Sequence, residues 1–441
     1  MDISRKLVLI SDIHKFKILS VSKMKLSIRP FESVFTILAL LLFSHGFYPV
    51  ILGQTTGEGD IDSPLLRMVF ISIYFVTLLL LAFRWQRTLA FVTSNFWLLF
   101  LIGLAVFSIS WSSIPAIAFR KVISLIGATF FGVYLGSRYN FKQQLEVYSW
   151  TFGIALFFSY IFSIALPQYG VMNTDAIVGA WQGIFPHKNG LGETMFVGFM
   201  TFYFSSLMEL SKRKKICFQI LCLMSVILIY FGQSATALMS VLFIFAIAQG
   251  LKRLSITSKK SVLIVLLFLI LSCLLLFLFL ANFNAFLTVN DKDVTLSGRT
   301  VLWDTLWQFI REKPWLGYGY GSFFSGESRE TTVLWQVHNW SPVHAHNGYI
   351  QLCLNLGFVG FAVFIFGYIS CLFNSLFKYL VSKDIQMLWI FLFLIYTIFL
   401  NMTEVSFFSS SNIWIITLAS IYSMKTKRKK NIIRKAVAST G

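Results

Sequence analysis

The sequence contains few charged residues. Only 12% of its 441 residues are Asp, Glu, Lys or Arg, which is about half the share carried by soluble globular proteins. A soluble chain of this length needs more polar surface than that to cover its domains, whereas 57% of these residues are apolar and 48 are phenylalanine. Disorder, a long coiled coil and a small disulfide-stabilised fold are therefore excluded.

Cysteine is also scarce, and its spacing argues against two kinds of site. The five cysteines lie in or beside long apolar stretches, with no Cys-x-x-Cys pair and no Cys/His spacing typical of zinc. We therefore expect neither disulfides nor a structural zinc site. The positions are Cys217, Cys222, Cys273, Cys353 and Cys371.

Long apolar runs dominate the rest of the chain. A helix needs about 20 mostly apolar residues to cross a bilayer, and the runs lack the short apolar/polar alternation of a membrane β-barrel. The sequence therefore predicts an all-α, polytopic integral membrane protein with about 12 transmembrane helices. The runs lie near residues 31–52, 64–83, 95–112, 120–136, 145–166, 190–208, 216–231, 236–250, 261–283, 355–377, 385–403 and 412–424.

The charges that are present are mostly basic, with 37 Lys and Arg against 18 Asp and Glu and a formal net charge of +19. Most basic residues fall on one side when the runs alternate across the membrane from an inner N-terminus. Because positive residues resist translocation, that side is the cytoplasm. We therefore predict cytoplasmic basic segments at residues 1–29 and 425–441, with contacts to anionic membrane lipid and no nucleic-acid partner.

Two loops on the opposite, extracytoplasmic side are long: residues 167–190 and a large loop at 284–354. Most other connections are short, and long loops within a compact protein usually carry function. Unusual side chains also concentrate in these two loops. We therefore expect the functional surface on the outer face of a transmembrane domain that covers residues 30–424.

The large loop contains an amphipathic helical pattern over residues 297–312. Its apolar positions are 302, 303, 306, 309 and 310, which share one helical face. The helix is too short and too charged to cross a bilayer, so we expect it on the membrane surface, with Trp303 and Trp307 at the interface. It would then present Arg299 from its first turn. The alternative is a plain anchor whose Arg299 is solvated or paired with Asp304.

Glycines alternate with tyrosines from Gly317 to Gly321, which indicates a tight turn with close backbone approach. The pattern resembles a nucleotide-binding loop only superficially. No buried strand precedes it and no helix opens from it, so we interpret it as a structural turn.

Three of the six histidines lie between residues 338 and 346, just before the tenth apolar run. His344 and His346 could ligate one metal ion, but a metal site would need a further carboxylate or nitrogen, and we predict none. A histidine also titrates near neutral pH, which suits a general base or acid. The alternative is a polar loop that packs against tryptophan.

Lys188 and Glu193 lie at the start of the sixth apolar run. Charges at a membrane boundary are costly unless they are paired or functional. With His187, Arg120 and Lys121, Lys188 indicates a cationic outer surface, and such a surface suits an anionic lipid-linked substrate whose diphosphate it could hold. The alternative is a Lys188/Glu193 pair, or side chains that snorkel to the interface.

Four motifs occur in a distinctive order. They are Trp-x-Gly-x-Phe-x-His-Lys-Asn-x-Leu-Gly at 181–192, Gly298-Arg299-x-x-x-Trp303, the stretch from Pro314 to Phe323, and His344-Ala-His-Asn-Gly-Tyr-Ile-Gln351. Their order resembles the superfamily of O-antigen ligases and Wzy-type polysaccharide polymerases. The first motif is similar to exopolysaccharide polymerisation proteins of the succinoglycan type, and the resemblance covers residues 30–424.

The resemblance implies a GT-C-like fold in the bacterial inner membrane and an enzyme that works without a metal or other cofactor. Such an enzyme transfers a glycan from an undecaprenyl-diphosphate carrier to an acceptor hydroxyl on the outer face. By resemblance, Arg299 grips the diphosphate, His346 deprotonates the acceptor, and Lys188 with His187 adds a second cationic contact. The further expected substrate contacts are Arg120, Lys121, His344 and Asn347.

The chain departs from many of the ligases, which carry an arginine where it has Lys188. Its short turn at 232–237 also contains no cation. Because lysine binds phosphate as a point charge rather than as a fork, this departure leaves the role of Lys188 open.

The expected activity is polymerisation of lipid-linked repeat units into exopolysaccharide, capsule or O-antigen, with a flippase and a chain-length regulator as further candidate partners. A ligase that moves finished glycan to lipid A core or another acceptor would use the same chemistry. A transporter or flippase would also have about twelve spans, with Glu193 as a coupling residue, but transporters favour related halves around a midplane site. A scaffold role does not explain the clustered His and Arg.

Overall fold

The computed structural model describes residues 30–53, 63–174, 177–253, 297–338 and 341–424. The ninth predicted span, both basic ends of the chain and the first part of the large loop lie outside the described residues. Every other predicted apolar run coincides with a helix or a pair of helices.

Helices make up nearly all of the described chain. They are α1 (Pro30–Phe43), α2 (Tyr48–Leu52), α3 (Pro64–Ala82), α4 (Trp85–Thr93), α5 (Phe96–Phe107), α6 (Pro115–Arg138), α7 (Phe141–Ala165), α8 (Pro167–Gly170), α9 (Lys188–Met208), α10 (Lys212–Phe231), α11 (Ala235–Arg253), α12 (Ser297–Glu312), α13 (Arg329–Val337), α14 (Gly348–Ser382), α15 (Ile385–Leu400) and α16 (Asn412–Met424). A 3₁₀ turn at Ser108–Trp111 extends α5. A two-stranded antiparallel hairpin, β1 (Val171–Thr174) with β2 (Ile177–Trp181), precedes α9.

Within the described ranges, 6 helices are long and apolar enough to cross a membrane, or up to 7 if α4 and the bent α5 segment form one span. The two parts of that pair meet at 90°. Three shorter apolar helices, α1, α15 and α16, fall below the length criterion. The chain is thus a multi-pass membrane protein, and the count of about twelve spans stays a prediction.

The centre of the bundle is formed by α15 and α16. Their bulky side chains are almost fully buried, among them Trp389, Tyr396 and Trp414. In contrast, α3 and α10 expose many apolar side chains, such as Phe75 and Leu223. Since an apolar surface of this kind is stable only against lipid, α3 and α10 form part of the perimeter.

A break in α14 joins the large outer loop to the bundle. Gly357 has φ 63° and ψ −170°, which interrupts the helix. The backbone groups released by this break are satisfied by the loop: Phe358 N–H donates to the Pro314 carbonyl at 2.7 Å, and Tyr318 N–H donates to the Leu354 carbonyl at 2.7 Å. Free backbone groups are costly in a bilayer, so the loop docks where the helix opens.

The glycine–tyrosine segment is the structural turn that the sequence predicts. Gly317, Gly319 and Gly321 all have positive φ values, of 64°, 97° and 71°. Tyr320 N–H donates to Ser108 Oγ at 2.9 Å. The Tyr320 hydroxyl donates to the Phe408 carbonyl at 2.7 Å, so this turn ties the loop to the bundle at two places.

The amphipathic helix α12 is confirmed, but its surroundings differ from the expectation. Its apolar face packs on protein, where Leu302, Leu306 and Ile310 are buried in a small core of the outer loop. Trp303 Nε1 donates to the Ala345 carbonyl at 2.9 Å, so the prediction that Trp303 faces the membrane interface is wrong. Trp307 is 42% exposed, as an interfacial residue would be.

Replacing Gly357 with alanine should destabilise the protein. A side chain at this φ is strained, and its Cβ would meet the Trp315 carbonyl. We expect a loss of at least about 2 kcal/mol, seen as a lower melting temperature in detergent. The control is Gly153→Ala in α7, where an added Cβ has no neighbour within 4 Å. Equal melting temperatures for the two variants would contradict the role of the break.

Candidate functional site

Three outer segments meet at one carboxylate, Glu404, in the loop after α15. From the first turn of α12, Arg299 Nη1 donates to the Thr403 carbonyl at 3.0 Å. Its Nη2 lies 3.9 Å from Glu404 Oε1. From the first turn of α9, Asn189 Nδ2 donates to the same carboxylate oxygen at 2.9 Å. Arg299 is therefore positioned by Thr403 and Glu404, and not by Asp304 as the alternative interpretation would have it.

The two histidines before α14 complete this group. The His346 N–H donates to His344 Nδ1 at 3.2 Å, and the two rings lie 4.1 Å apart. One ligand atom each from His344, His346 and Glu404 lie within 4.8 Å of one another. We call Arg299, Asn189, Glu404, His344 and His346 the Glu404 cluster.

Two helix N-termini point their positive ends at this region. Helix α9 begins beside His187, whose Nδ1 accepts from Asn189 N–H at 3.2 Å. Helix α14 begins beside Asn347, whose Oδ1 accepts from two backbone N–H groups of the first turn, at 3.0 and 3.1 Å. Asn347 Nδ2 also donates to the Met402 carbonyl at 3.4 Å. Helix N-termini beside arginine and lysine form an environment suited to an anion.

Lys188 adds charge at the edge of the cluster. Its Nζ lies 3.5 Å from the Gln233 carbonyl, over the turn between α10 and α11. The hydroxyls of Thr236 and Thr403 lie 3.2 Å apart, which joins this turn to the loop that carries Glu404. Lys188 thus contacts a turn that is itself joined to the loop of Glu404.

The carboxylate of Glu404 supplies the third donor that a metal site at the histidines would need. The donor set of two imidazoles and one carboxylate is chemically suitable for zinc and related ions. However, the guanidinium of Arg299 lies next to the same carboxylate and the N-terminus of α14 lies next to His346. This neighbouring positive charge weakens the attraction of the donor set for a metal ion and suits an anion.

The electrostatic environment lowers the pKa of all three histidines. Burial is the main cause, and it brings the pKa of His187 and of His344 to about 4 and that of His346 to about 2. The charge of Arg299 contributes in each case, and that of Lys188 contributes for His187. At neutral pH the imidazoles are uncharged and can accept protons. An anion that neutralises Arg299 would raise these pKa values and make the imidazoles stronger bases.

Arg120 and Lys121 occupy a neighbouring part of the outer face. The Arg120 side chain is exposed, and that of Lys121 packs against Gly321, where an added Cβ would lie 2.7 Å from Lys121 Cγ. Hydrogen bonds connect this region with the histidines. The Gly321 N–H and Gln351 Nε2 both donate to Asn355 Oδ1, at 3.2 and 3.3 Å. Gln351 Oε1 in turn accepts from the Ala345 N–H at 3.0 Å.

The sequence-based reasoning missed Glu404 and Asn189. Glu404 follows directly on the eleventh predicted span, and a carboxylate at a membrane boundary is a signal that could have identified it. Glu193, which was considered as a partner of Lys188, instead has its Oε2 3.4 Å from the Ser406 hydroxyl. The segment after α15 thus carries Glu404 and also contacts Glu193.

The described residues thus define a multi-pass membrane protein in which Arg299, Glu404 and two histidines meet in the loops beside α9 and α14. Residues 220–365 match the family model of O-antigen ligases (Wzy_C). The chain is 22% identical over 336 residues to the exopolysaccharide production protein ExoQ of Rhizobium meliloti (strain 1021). The aligned region covers 72% of this chain and 73% of that relative.

These matches confirm the resemblance to the O-antigen ligase and polymerase superfamily, in its succinoglycan-type branch. The class of activity that they support is glycan processing of the ligase or polymerase type. The family match contains Arg299, His344 and His346, whereas Lys188 and Glu404 lie outside it.

The lowered pKa values predict that stability falls in mild acid. In the unfolded chain these histidines bind a proton near pH 6.5, whereas the folded protein keeps them neutral down to about pH 4. Their contribution to stability is therefore complete above pH 6.5 and declines as the pH falls towards 4. In His344→Gln, the loss between pH 7 and 4.5 should be smaller by about 1–2 kcal/mol.

The measurement is the melting temperature in detergent as a function of pH. His338→Gln is the control, because His338 Nε2 lies 3.2 Å from the hydroxyl of Thr305, six residues along α12 from Arg299. If His344→Gln shows the same slope as the wild type, then Arg299 and burial do not act on His344 as described.

Proposed function

We propose that the protein is a glycosyltransferase that polymerises lipid-linked oligosaccharide repeat units on the outer face of the bacterial inner membrane. The donor is an undecaprenyl-diphosphate-linked glycan. The observation that carries this proposal is the Glu404 cluster: an arginine, a carboxylate and two neutral histidines lie together beside the N-termini of α9 and α14, an arrangement that suits a diphosphate. The family match and the ExoQ relative support the same class of activity.

The chemistry follows from the residues. The acceptor hydroxyl oxygen attacks the anomeric carbon of the donor, and a new glycosidic bond forms there. The bond from that carbon to the diphosphate oxygen breaks, and its electron pair leaves with undecaprenyl diphosphate. The hydroxyl proton goes to the imidazole of His346. Arg299 and Lys188 stabilise the charge that grows on the leaving diphosphate.

The remaining polar and cationic residues would serve the substrates on either side of the reacting atoms. His187, His344 and Asn347 lie next to the diphosphate position. Arg120 and Lys121, on their neighbouring part of the outer face, would contact the acceptor glycan or its anionic carrier. In a polymerase the acceptor is itself lipid-linked, so a second cationic region is useful. In this mechanism these side chains provide the charge stabilisation, and no step uses a metal.

The proposed setting is a GT-C-like domain of about twelve spans over residues 30–424, with both ends of the chain in the cytoplasm. The basic ends at residues 1–29 and 425–441 would contact anionic lipid. A flippase would deliver the repeat units, and a chain-length regulator would limit the product.

The function predicts a change in chain length. Cells that lack the protein should accumulate single lipid-linked repeat units and lose long chains, measured by gel electrophoresis of extracted glycans. Purified protein supplied with lipid-linked repeat units should lengthen them without nucleotide sugar. Finished polymer that stays on the carrier in the deletion strain would instead indicate a ligase. Movement of labelled oligosaccharide across liposomes without joining would indicate a flippase.

Two substitutions test the assignment of the site. Arg299→Ala and His346→Ala should each lower the transfer rate by about 100-fold or more, since each removes a charge clamp or a base. Arg299→Lys should recover only part of the rate, because lysine lacks the planar fork. The controls are Arg311→Ala, which is exposed on the same helix α12, and His338→Ala. A near-normal rate in Arg299→Ala or His346→Ala would remove that residue from the mechanism.

A further inference from the structure

Glu404 is the residue around which the cluster is organised, yet a carboxylate is an unexpected neighbour for a diphosphate. Its Oε1 accepts from Asn189 Nδ2 at 2.9 Å and lies 3.9 Å from Arg299 Nη2. Like charges repel strongly where water is limited. A carboxylate that stayed paired with Arg299 would therefore compete with the substrate for the same guanidinium.

The geometry would allow Arg299 to exchange Glu404 for a substrate anion with only a small movement of its side chain. Arg299 is anchored by a hydrogen bond from Nη1 to the Thr403 carbonyl at 3.0 Å. Its contact with Glu404, at 3.9 Å, is longer than a hydrogen bond. A guanidinium has five N–H donors, so Arg299 can keep the Thr403 contact while it turns its other donors to a new anion.

We propose that Glu404 is a positioning residue: it is the counterion of Arg299 before the donor binds, and the donor's diphosphate takes its place. This proposal rests on the proposed function. Glu404 remains attached to Asn189 on α9 after the exchange. It then faces the histidine pair, because its carboxylate and the ring nitrogens of His344 and His346 lie within 4.8 Å of one another.

The exchange would make base catalysis depend on donor binding. Burial is the main cause of the low pKa of His346, and the neighbouring His344 and the positive charge of Arg299 lower it further. A bound diphosphate neutralises Arg299, and the released carboxylate of Glu404 then stabilises the imidazolium that forms when His346 takes the acceptor proton. Acceptor activation would therefore follow donor binding.

The experiment compares Glu404→Gln and Glu404→Asp with Glu330→Gln in the purified full chain. Glu330 is a matched control, because its ion pair with Lys313 has the same length, 3.9 Å, as the pair of Glu404 with Arg299. Both Glu330 and Lys313 lie in the large loop that also contains Arg299. Two assays are used. One measures the affinity for farnesyl diphosphate, and the other measures kcat and KM with a lipid-linked repeat unit. Glu404→Gln keeps the shape of the side chain and removes only its charge.

We expect Glu404→Gln to bind farnesyl diphosphate as tightly as the wild type or a few-fold more tightly, because the competing anion is gone. Its kcat should fall about tenfold with little rise in KM, since the imidazolium loses its stabilising charge. Glu404→Asp should recover part of kcat, and Glu330→Gln should stay within about twofold of the wild type.

A wild-type kcat in Glu404→Gln overturns the proposal. Weaker farnesyl diphosphate binding in that variant also overturns it, because Glu404 would then build the diphosphate site rather than compete with it. The same holds if wild-type activity is lost in EDTA and restored by zinc or manganese, which would make Glu404 a metal ligand. If Glu404→Gln does not reach the membrane, Asn189→Leu removes the tether instead, and a wild-type kcat there overturns the proposal.

The two proposals fail in different ways. Wild-type protein that joins no repeat units contradicts the glycosyltransferase, whatever Glu404 does. The farnesyl diphosphate affinities still decide whether Glu404 and an anion compete for Arg299: tighter binding in Glu404→Gln supports the exchange, and weaker binding excludes it.

Discussion

The hydrogen bonds across the break in α14 are the interaction on which the outer half of the structure depends. A bilayer requires each backbone group to find a partner within the protein. At Gly357 the helix opens, and the carbonyls of Pro314 and Trp315 accept from the N–H groups of Phe358 and Val359. This fixes the loop after α12 and hence the direction of α12 itself. Arg299, in the first turn of α12, is placed by a break more than fifty residues away.

The charge state of the cluster is set by burial, because burial disfavours the charged form of an imidazole. Burial, with a smaller contribution from the charge of Arg299, lowers the pKa of each of the three nearby histidines, so these imidazoles stay uncharged at neutral pH. Glu404 offsets part of the remaining charge. Such a site can be stable without substrate and still attract an anion, because the histidines adjust their protonation instead of adding fixed charge.

Local patterns in the sequence predict some features and leave others open. The helical spacing of the apolar residues within 297–312 predicts helix α12, and the spacing of Gly317, Gly319 and Gly321 predicts a turn. The direction of Trp303 was not predictable, because an apolar face packs equally well on lipid or on protein, and only the folded loop decides. The pairing of Arg299 with Glu404 is also hidden, since more than a hundred residues separate them. The number of spans also stays open, because α4 and the bent α5 segment can form one span and because α1, α15 and α16 are apolar but short.

The structure also bears on the departure of this chain from the ligase pattern. The turn between α10 and α11 has no cation of its own, and the sequence alone left it unclear whether Lys188 could act there. Its Nζ reaches the Gln233 carbonyl in this turn from the neighbouring helix α9. A positive charge is therefore present over the turn although the turn does not encode it. Because an ammonium is a point charge, it tolerates a shift in the position of its anion better than a bidentate arginine would. That tolerance suits a substrate whose diphosphate must first displace Glu404 from Arg299.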